Sequence, residues 1–409
     1  MNGDVPGLRH DATVRHITDD ERRARLAIRH ALAPWGRVAD PVAATRAMTV
    51  LHATEPPTVH LSVAARVDGV TVEDVERALY VERSLVKQLA MRRTLFVFPR
   101  DLLPAAWGAP GDRVAAQEHR KIAKDVEAAG VAAEGAAWLA DVRGQLLQAL
   151  RAAPEGLPAR EVRAAVPALD RKVEVRPGSK WGGATQVAPR VLAWLGAAGD
   201  VVRGRNAGHW RLSRPSYTRM DTWLGEVPPA LPEPDGYAEL VRRWLWTFGP
   251  GTEADLVWWL GATKAAVRRA LADLQAVQVS LDGGAVGWVL PGDDEPLDPA
   301  DEPWAALLPV LDPTTMGWRD RDWYLDPLHT PYLFDSNGNG GTTAWWNGRI
   351  VGCWVQDEAG RVRVVPRQEL PRDATRALEA EADRLTAWLD GVVISSVYSS
   401  LQMKSARLP

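Results

Sequence analysis

One order of elements recurs three times between residues 69 and 290, and each copy is introduced by a glycine. In the first, Gly69 precedes a short helix over 70–80 with Thr71 as its cap, a second helix follows near 84–89, and 94–98 alternates like a strand. In the second, a helix over 138–150 leads to Gly156-Leu157-Pro158, a short helix runs to 166, a third covers 187–195, and 201–212 turns at Asn206-Ala207-Gly208. In the third, which begins at Tyr237, Gly251-Thr252-Glu253 opens a helix over 254–260, Thr263 caps 264–274, and 277–290 turns at Asp282-Gly283-Gly284. Short helix, second helix and hairpin are the skeleton of a winged helix-turn-helix. Three copies predict a tandem array rather than one doubly wound parallel sheet.

Proline and charge set the boundaries. Residues 1–39 are a loose lead-in followed by an Arg-rich amphipathic helix over 19–32; 40–133, 134–225 and 226–303 each hold one module, with Pro-rich linkers at 227–234 and 292–303. From 304 the hydrophobic period changes to two. Strands are predicted over 305–311, 323–325, 342–346, 349–356, 361–366 and 392–397, with a turn at Asn347-Gly348 and one amphipathic helix over 373–389. Small sheets hide their edges by closing, so 304–409 predicts a barrel-like domain, and the whole chain is α+β: three winged helices and then a β-barrel.

Composition excludes several classes. At 409 residues, 46% hydrophobic and 25% charged, the chain has the make-up of a folded protein of two to four domains. A single cysteine, Cys353, rules out an internal disulfide and a cysteine-rich zinc site, and the eight histidines lack ligand spacing, so no metal and no cofactor is expected. No apolar run has transmembrane length and the N-terminus is polar, which predicts a cytoplasmic protein without a membrane partner. The net charge of -3 leaves nucleic-acid binding open, because a DNA footprint is local charge on one face. Phosphate-loop, G-x-G-x-x-G, nucleophile-elbow and H-E-x-x-H signatures are absent.

The chemistry concentrates over 40–62. Asp40 caps a helix that carries Ala44, Met48 and Leu51 as an apolar stripe and ends near His52, where Pro56 and Pro57 stop it. In extended backbone His52 and Thr54 share a face and Ala53 turns away, giving a polar pair over an apolar anchor; as the ordinary end of a helix, His52 caps carbonyls and Thr54 opens the next helix. Glu55 is adjacent, and the stretch holds no lysine for Schiff-base chemistry. Cations suited to DNA phosphates stand at Arg92 and Arg93, and at Lys180 beside Trp181 in a Gly-rich loop. The charge-alternating turn 312–322, with Arg319 and Arg321, fits an ion-pair corner or a phosphate contact. The 336–341 loop, with Ser336, Asn337 and Asn339, fits a phosphate nest or a plain tight loop.

The polar-Φ-polar triplet after an amphipathic helix, the Met91-Arg92-Arg93-Thr94-Leu95 run and the tandem modules before a strand-rich domain together resemble the AlkZ-like winged-helix DNA glycosylases from about residue 40 onward. The resemblance implies a C-shaped clamp around double-stranded DNA and excision of bulky alkylated purines, including adducts of a producer's own genotoxic metabolites. It also implies that His52-Ala53-Thr54 falls on a catalytic motif that reads Gln-Φ-Gln or Gln-Φ-Asp in the family, so both polar positions depart from it. On that alignment His52 and Thr54 position the attacking water and Glu55 faces the developing cation. Two other classes fit the same residues: a non-catalytic winged-helix regulator, and a protein that sequesters a genotoxin between its tryptophans.

Overall fold

The computed structural model describes residues 14–175, 183–297 and 302–405, and the fold is α+β. The chain enters through β1 (His16–Ile17), which is a strand rather than a loose lead-in. Ile17 is fully buried with Val279, Leu281 and Val289, and that small core fixes the segment. The helix Asp19–Arg29 follows, capped by Thr18.

The first module is built on β2 (Leu51–His52), β3 (Leu85–Leu89) and β4 (Leu95–Pro99), in the order β2-β4-β3 and antiparallel throughout. Two sequence expectations fail here. The Asp40-capped helix spans Pro41–Ala47 and ends five residues before His52, because Thr49 at φ 63 turns the chain out of it. The segment expected as a second helix near 84–89 is β3, with all five residues buried. Lys87 and Gln88 interrupt the alternation that marks a strand, yet both are satisfied inside: Lys87 Nζ donates to the Tyr80 hydroxyl at 2.6 Å and Gln88 accepts from Trp107 Nε1 at 2.9 Å.

The second module packs the helices Gly135–Arg151, Ala159–Ala165 and Val187–Ala197 on a sheet of β5 (Leu157–Pro158), β8 (Val201–Asn206) and β9 (Pro215–Arg219), with a separate hairpin of β6 (Lys172–Val175) and β7 (Gly183–Gln186). The hairpin return lies at 215–219, later than the expected 212, with a register shift between Arg203 and Asn206. A long helix, Asp112–Ala128, joins the first two modules and has no counterpart in the repeat. In the third module a capping box between Thr252 and Asp255 starts Glu253–Leu260, Gly261 ends it at φ 61, Thr263 caps Lys264–Asp273, and β10 (Val277–Leu281) turns at Gly283 into β11 (Val286–Val289). β1 adds to β10 in parallel.

The C-terminal part of the chain forms a four-stranded antiparallel meander of β12 (Ala305–Leu308), β13 (Thr343–Trp346), β14 (Arg349–Gln356) and β15 (Val362–Pro366). Among the described residues it does not close, so the expected barrel is replaced by an open sheet. The helix Arg372–Leu389 covers its face, with Leu378, Ala382, Leu385 and Leu389 against Ala305, Leu307, Val351 and Trp354. Burying a face against a helix serves the same end as closure. The segments expected as strands at 323–325 and 392–397 are irregular. Trp323 and Tyr324 are used as core filler, Trp323 standing edge-on to Trp318 at 4.8 Å, whereas Val397 is 85% exposed and offers no face to pair.

Two buried polar joints tie the N-terminal elements to this part of the chain. Arg66, just past the helix Pro56–Ala64, grips Asp312 with two hydrogen bonds of 2.8 and 2.9 Å, both side chains at zero exposure, and Ser62 Oγ donates to the same carboxylate. Burial opposes ionisation of Asp312, but Arg66, Ser62 and the Thr314 N–H hold its carboxyl below the usual range. His30 lies between Phe248 and Trp318, with its ring nitrogens 2.8 Å from Thr314 Oγ1 and 3.1 Å from the Thr247 carbonyl. Asp312 thus serves the ion-pair corner expected of its turn.

Candidate active site and DNA interface

The backbone is extended at Leu51 and His52, runs on through Ala53, and bends at Thr54 and Glu55. Leu51 and His52 pair with Val97 and Phe96, and the Ala53 N–H continues toward the Leu95 carbonyl at 2.9 Å. Pro56 and Pro57 do not stop a helix; they begin Pro56–Ala64, where missing donors cost nothing and the fixed φ suits the first turn. His52 and Ala53 take the extended form rather than a helix end, and the chain bends at Thr54. Ala53 is buried in the core and Thr54 is exposed, its N–H 3.4 Å from His52 Nδ1.

His52 is 8% exposed and stands edge-on to Phe96, ring centroids 5.2 Å apart. Its Nε2 makes no hydrogen bond among the described residues. Burial, reinforced by the Arg92 guanidinium, pushes its pKa down to about 3, so the imidazole is neutral at physiological pH. Glu55 is equally buried at 8%. Its Oε1 accepts the Val397 N–H at 2.8 Å, and its Oε2 is buried without a partner among the described residues.

Arginines and carboxylates from several elements neighbour these residues. Arg92, in a left-handed turn at φ 53, lays its guanidinium 4.2 Å from the Trp258 ring. Arg321 approaches the same ring at 5.7 Å and Phe334 at 4.4 Å. Across the 334–340 loop, Tyr398 lies near both Glu55 and Asp335; burial and then those two carboxylates raise its phenol above the ordinary value. The loop's amides are already occupied, since the Asp335 carboxylate accepts from the Asn337 N–H at 2.8 Å, the Asn339 N–H at 2.9 Å and Asn339 Nδ2 at 2.9 Å. A resident side chain therefore fills the nest read from sequence.

Of the residues singled out from the sequence, His52 lies near Arg92 and Arg92 near Arg321, while Glu55 follows His52 by three positions. Arg93 is exposed and paired with Glu118 at 3.1 Å. Arg319 is exposed, its backbone N–H bonded to Asp255 at 2.8 Å, and the Ser336 and Asn337 side chains are exposed. Lys180 and Trp181 lie outside the described residues. Sequence reasoning missed Trp258, Phe334, Asp335, Tyr398 and the Val397 amide. The one local hint was Trp258-Trp259, whose second member is core and whose first is only partly buried. Among the described residues no group of three His, Cys, Asp or Glu is placed to hold a metal ion, and no helix is long and apolar enough to cross a membrane.

The family model described as DNA glycosylase AlkZ-like matches residues 45–388, and the chain belongs to that family of DNA glycosylases. In fold it is similar to the Streptomyces sahachiroi DNA glycosylase AlkZ, at 19% sequence identity and a TM-score of 0.71, over 90% of this chain and 96% of that one. No curated protein matches the chain.

Proposed function

We propose that this glycosylase is monofunctional and hydrolyses the N-glycosidic bond of bulky N7-alkylated purines in double-stranded DNA, guanine adducts of a genotoxic natural product above all, as self-resistance repair by a cytoplasmic, nucleoid-associated monomer. The observation that carries this reading is the Glu55 carboxylate, buried with one oxygen unpaired beside a neutral His52. Alkylation at N7 charges the purine and makes it a good leaving group, so the protein's main task is to favour the cationic sugar as the bond breaks. Glu55 supplies the negative charge. His52 and Thr54 orient the water that attacks the anomeric carbon, with the neutral imidazole as acceptor. Lys87, an amine of the same module, is spent on the Tyr80 hydroxyl, which favours hydrolysis without a Schiff base.

The three helix-and-hairpin modules act in this reading as winged helices that grip the duplex, with Arg92, Arg93, Lys180, Trp181, Arg319, Arg321, Ser336, Asn337 and Asn339 toward DNA. The test compares single-turnover base release from duplexes carrying a bulky N7-guanine adduct and N7-methylguanine. Release of both, faster for the bulky adduct, supports the reading; tight binding of both duplexes without release leaves a DNA-binding regulator.

A further inference from the structure

The fully buried arginines carry a carboxylate: Arg22 bonds Asp19, Arg23 bonds Asp20, Arg25 bonds Glu21 and Arg66 bonds Asp312. The part-buried Arg92 and Arg321, like Arg83 and Arg367, do not, but only Arg92 and Arg321 share one aromatic ring. Among the described residues neither lies within ion-pair distance of an acid, and the Nε of each is buried without a partner. Both guanidinium groups nevertheless face one indole, that of Trp258, and Arg321 is also held by Phe334 and by a 3.4 Å hydrogen bond to the Gly338 carbonyl. The placement is enforced. Arg92 takes a left-handed backbone, and Gly261 packs so closely that a Cβ there would lie 3.1 Å from Arg92 Cγ. Burial, then repulsion from Arg321, lowers the Arg92 pKa to about 10, as expected of two like charges without a counterion.

We infer that Arg92 and Arg321 form a two-guanidinium clamp, mounted on Trp258, for a single phosphodiester of the damaged strand, the one flanking the nucleotide under attack. Guanidinium forks match phosphate oxygens in geometry and charge, and an anion between them removes the repulsion that the free protein carries. The flanking phosphate is assigned because Arg92 is close enough to His52 to depress its protonation, so an anion held there sits beside the sugar that Glu55 faces. The inference rests on the glycosylase reading for the words "under attack", and otherwise on the two unpaired cations.

The test uses the full chain, a duplex with one tetrahydrofuran abasic analogue, and a set of the same duplex with a single neutral methylphosphonate at each position around it. One methylphosphonate position should weaken wild-type binding about 10- to 100-fold and leave R92A/R321A with no further loss. The salt dependence of log K should fall by about 0.9 in R92A, in R321A and in the double variant alike, because one phosphate is lost in each. A fall of about 1.8 in the double variant, or a scan in which no position affects the wild type more than the double variant, overturns the clamp. Should the alanine pair fail to fold, R92K/R321K decides: charge without the fork should keep the salt slope and lose about 10-fold in affinity. Base release from an N7-alkylated duplex is read in parallel. Release together with an indifferent methylphosphonate scan sinks the clamp alone, and no release with the predicted scan sinks the glycosylase reading alone.

Discussion

Glu55→Gln removes a charge and little else. Glutamine keeps an oxygen for the Val397 N–H, 2.8 Å from the present Oε1, so the segment that crosses the site stays docked. The lost term is the attraction between the carboxylate and the sugar as it becomes an oxocarbenium ion. Two unit charges about 4 Å apart at an effective dielectric of roughly 20 attract by about 4 kcal/mol, and since the transition-state charge is partial the retained share is about 3 kcal/mol. That corresponds to a rate loss on the order of 10². The assay is single-turnover release of N7-alkylguanine at saturating protein, which isolates the bond-breaking step from binding. The loss should appear in the rate constant with duplex affinity nearly unchanged. A Glu55→Gln rate within about threefold of wild type, with His52→Ala slower by more than about 10², refutes the argument and moves the chemistry to the histidine.

His52→Ala should slow release by only about tenfold, because an imidazole whose pKa is about 3 orients water better than it takes protons, and the wild-type rate should show no histidine limb near pH 6.5. Acid should destabilise the fold between about pH 6.5 and 4: burial lowers His30 and His52 to about 3 and His60 to about 4, so the unfolded chain binds more protons in that window and stability falls as pH falls. Urea unfolding at pH 7 and pH 5 measures it, with up to about 1.4 kcal/mol per pH unit for each histidine, and equal stability at the two values contradicts it. Arg66→Ala should cost about 3–5 kcal/mol, since it strands the Asp312 carboxylate at zero exposure; a change in melting temperature typical of a surface substitution shows that the joint is dispensable.

What the sequence made legible is what local chemistry decides. Asp40, Thr71, Thr252 and Thr263 each cap the helix read from them, and Arg349–Gln356 is a strand at the bounds its alternation marks. The extended form of His52 and Ala53 followed from the two faces of a strand, but the bend at Thr54 did not, and the helix before them ended earlier than its apolar stripe implied. β3 was missed because two polar residues in it are satisfied by Tyr80 and Trp107, contacts that no window of the sequence contains. The barrel was over-read for a related reason: the apolar strands do hide a face, but against the helix Arg372–Leu389 rather than against one another. The site is the extreme case. Glu55 is held by an amide 342 residues away, and Arg92, Trp258 and Arg321 come from three separate elements. No spacing rule joins them.

Hydrolysis beside Glu55 is tested most directly by the product set from one duplex carrying a single bulky N7-alkylguanine, incubated with excess protein and analysed by mass, with borohydride added only to a parallel portion as a trap for a covalent intermediate. Expected are an intact free adduct base and an abasic strand that breaks only on later heating or alkali in the untreated portion, and no protein–DNA covalent product in the trapped one. Recovery of the alkylated strand, fully bound and chemically unchanged, contradicts it.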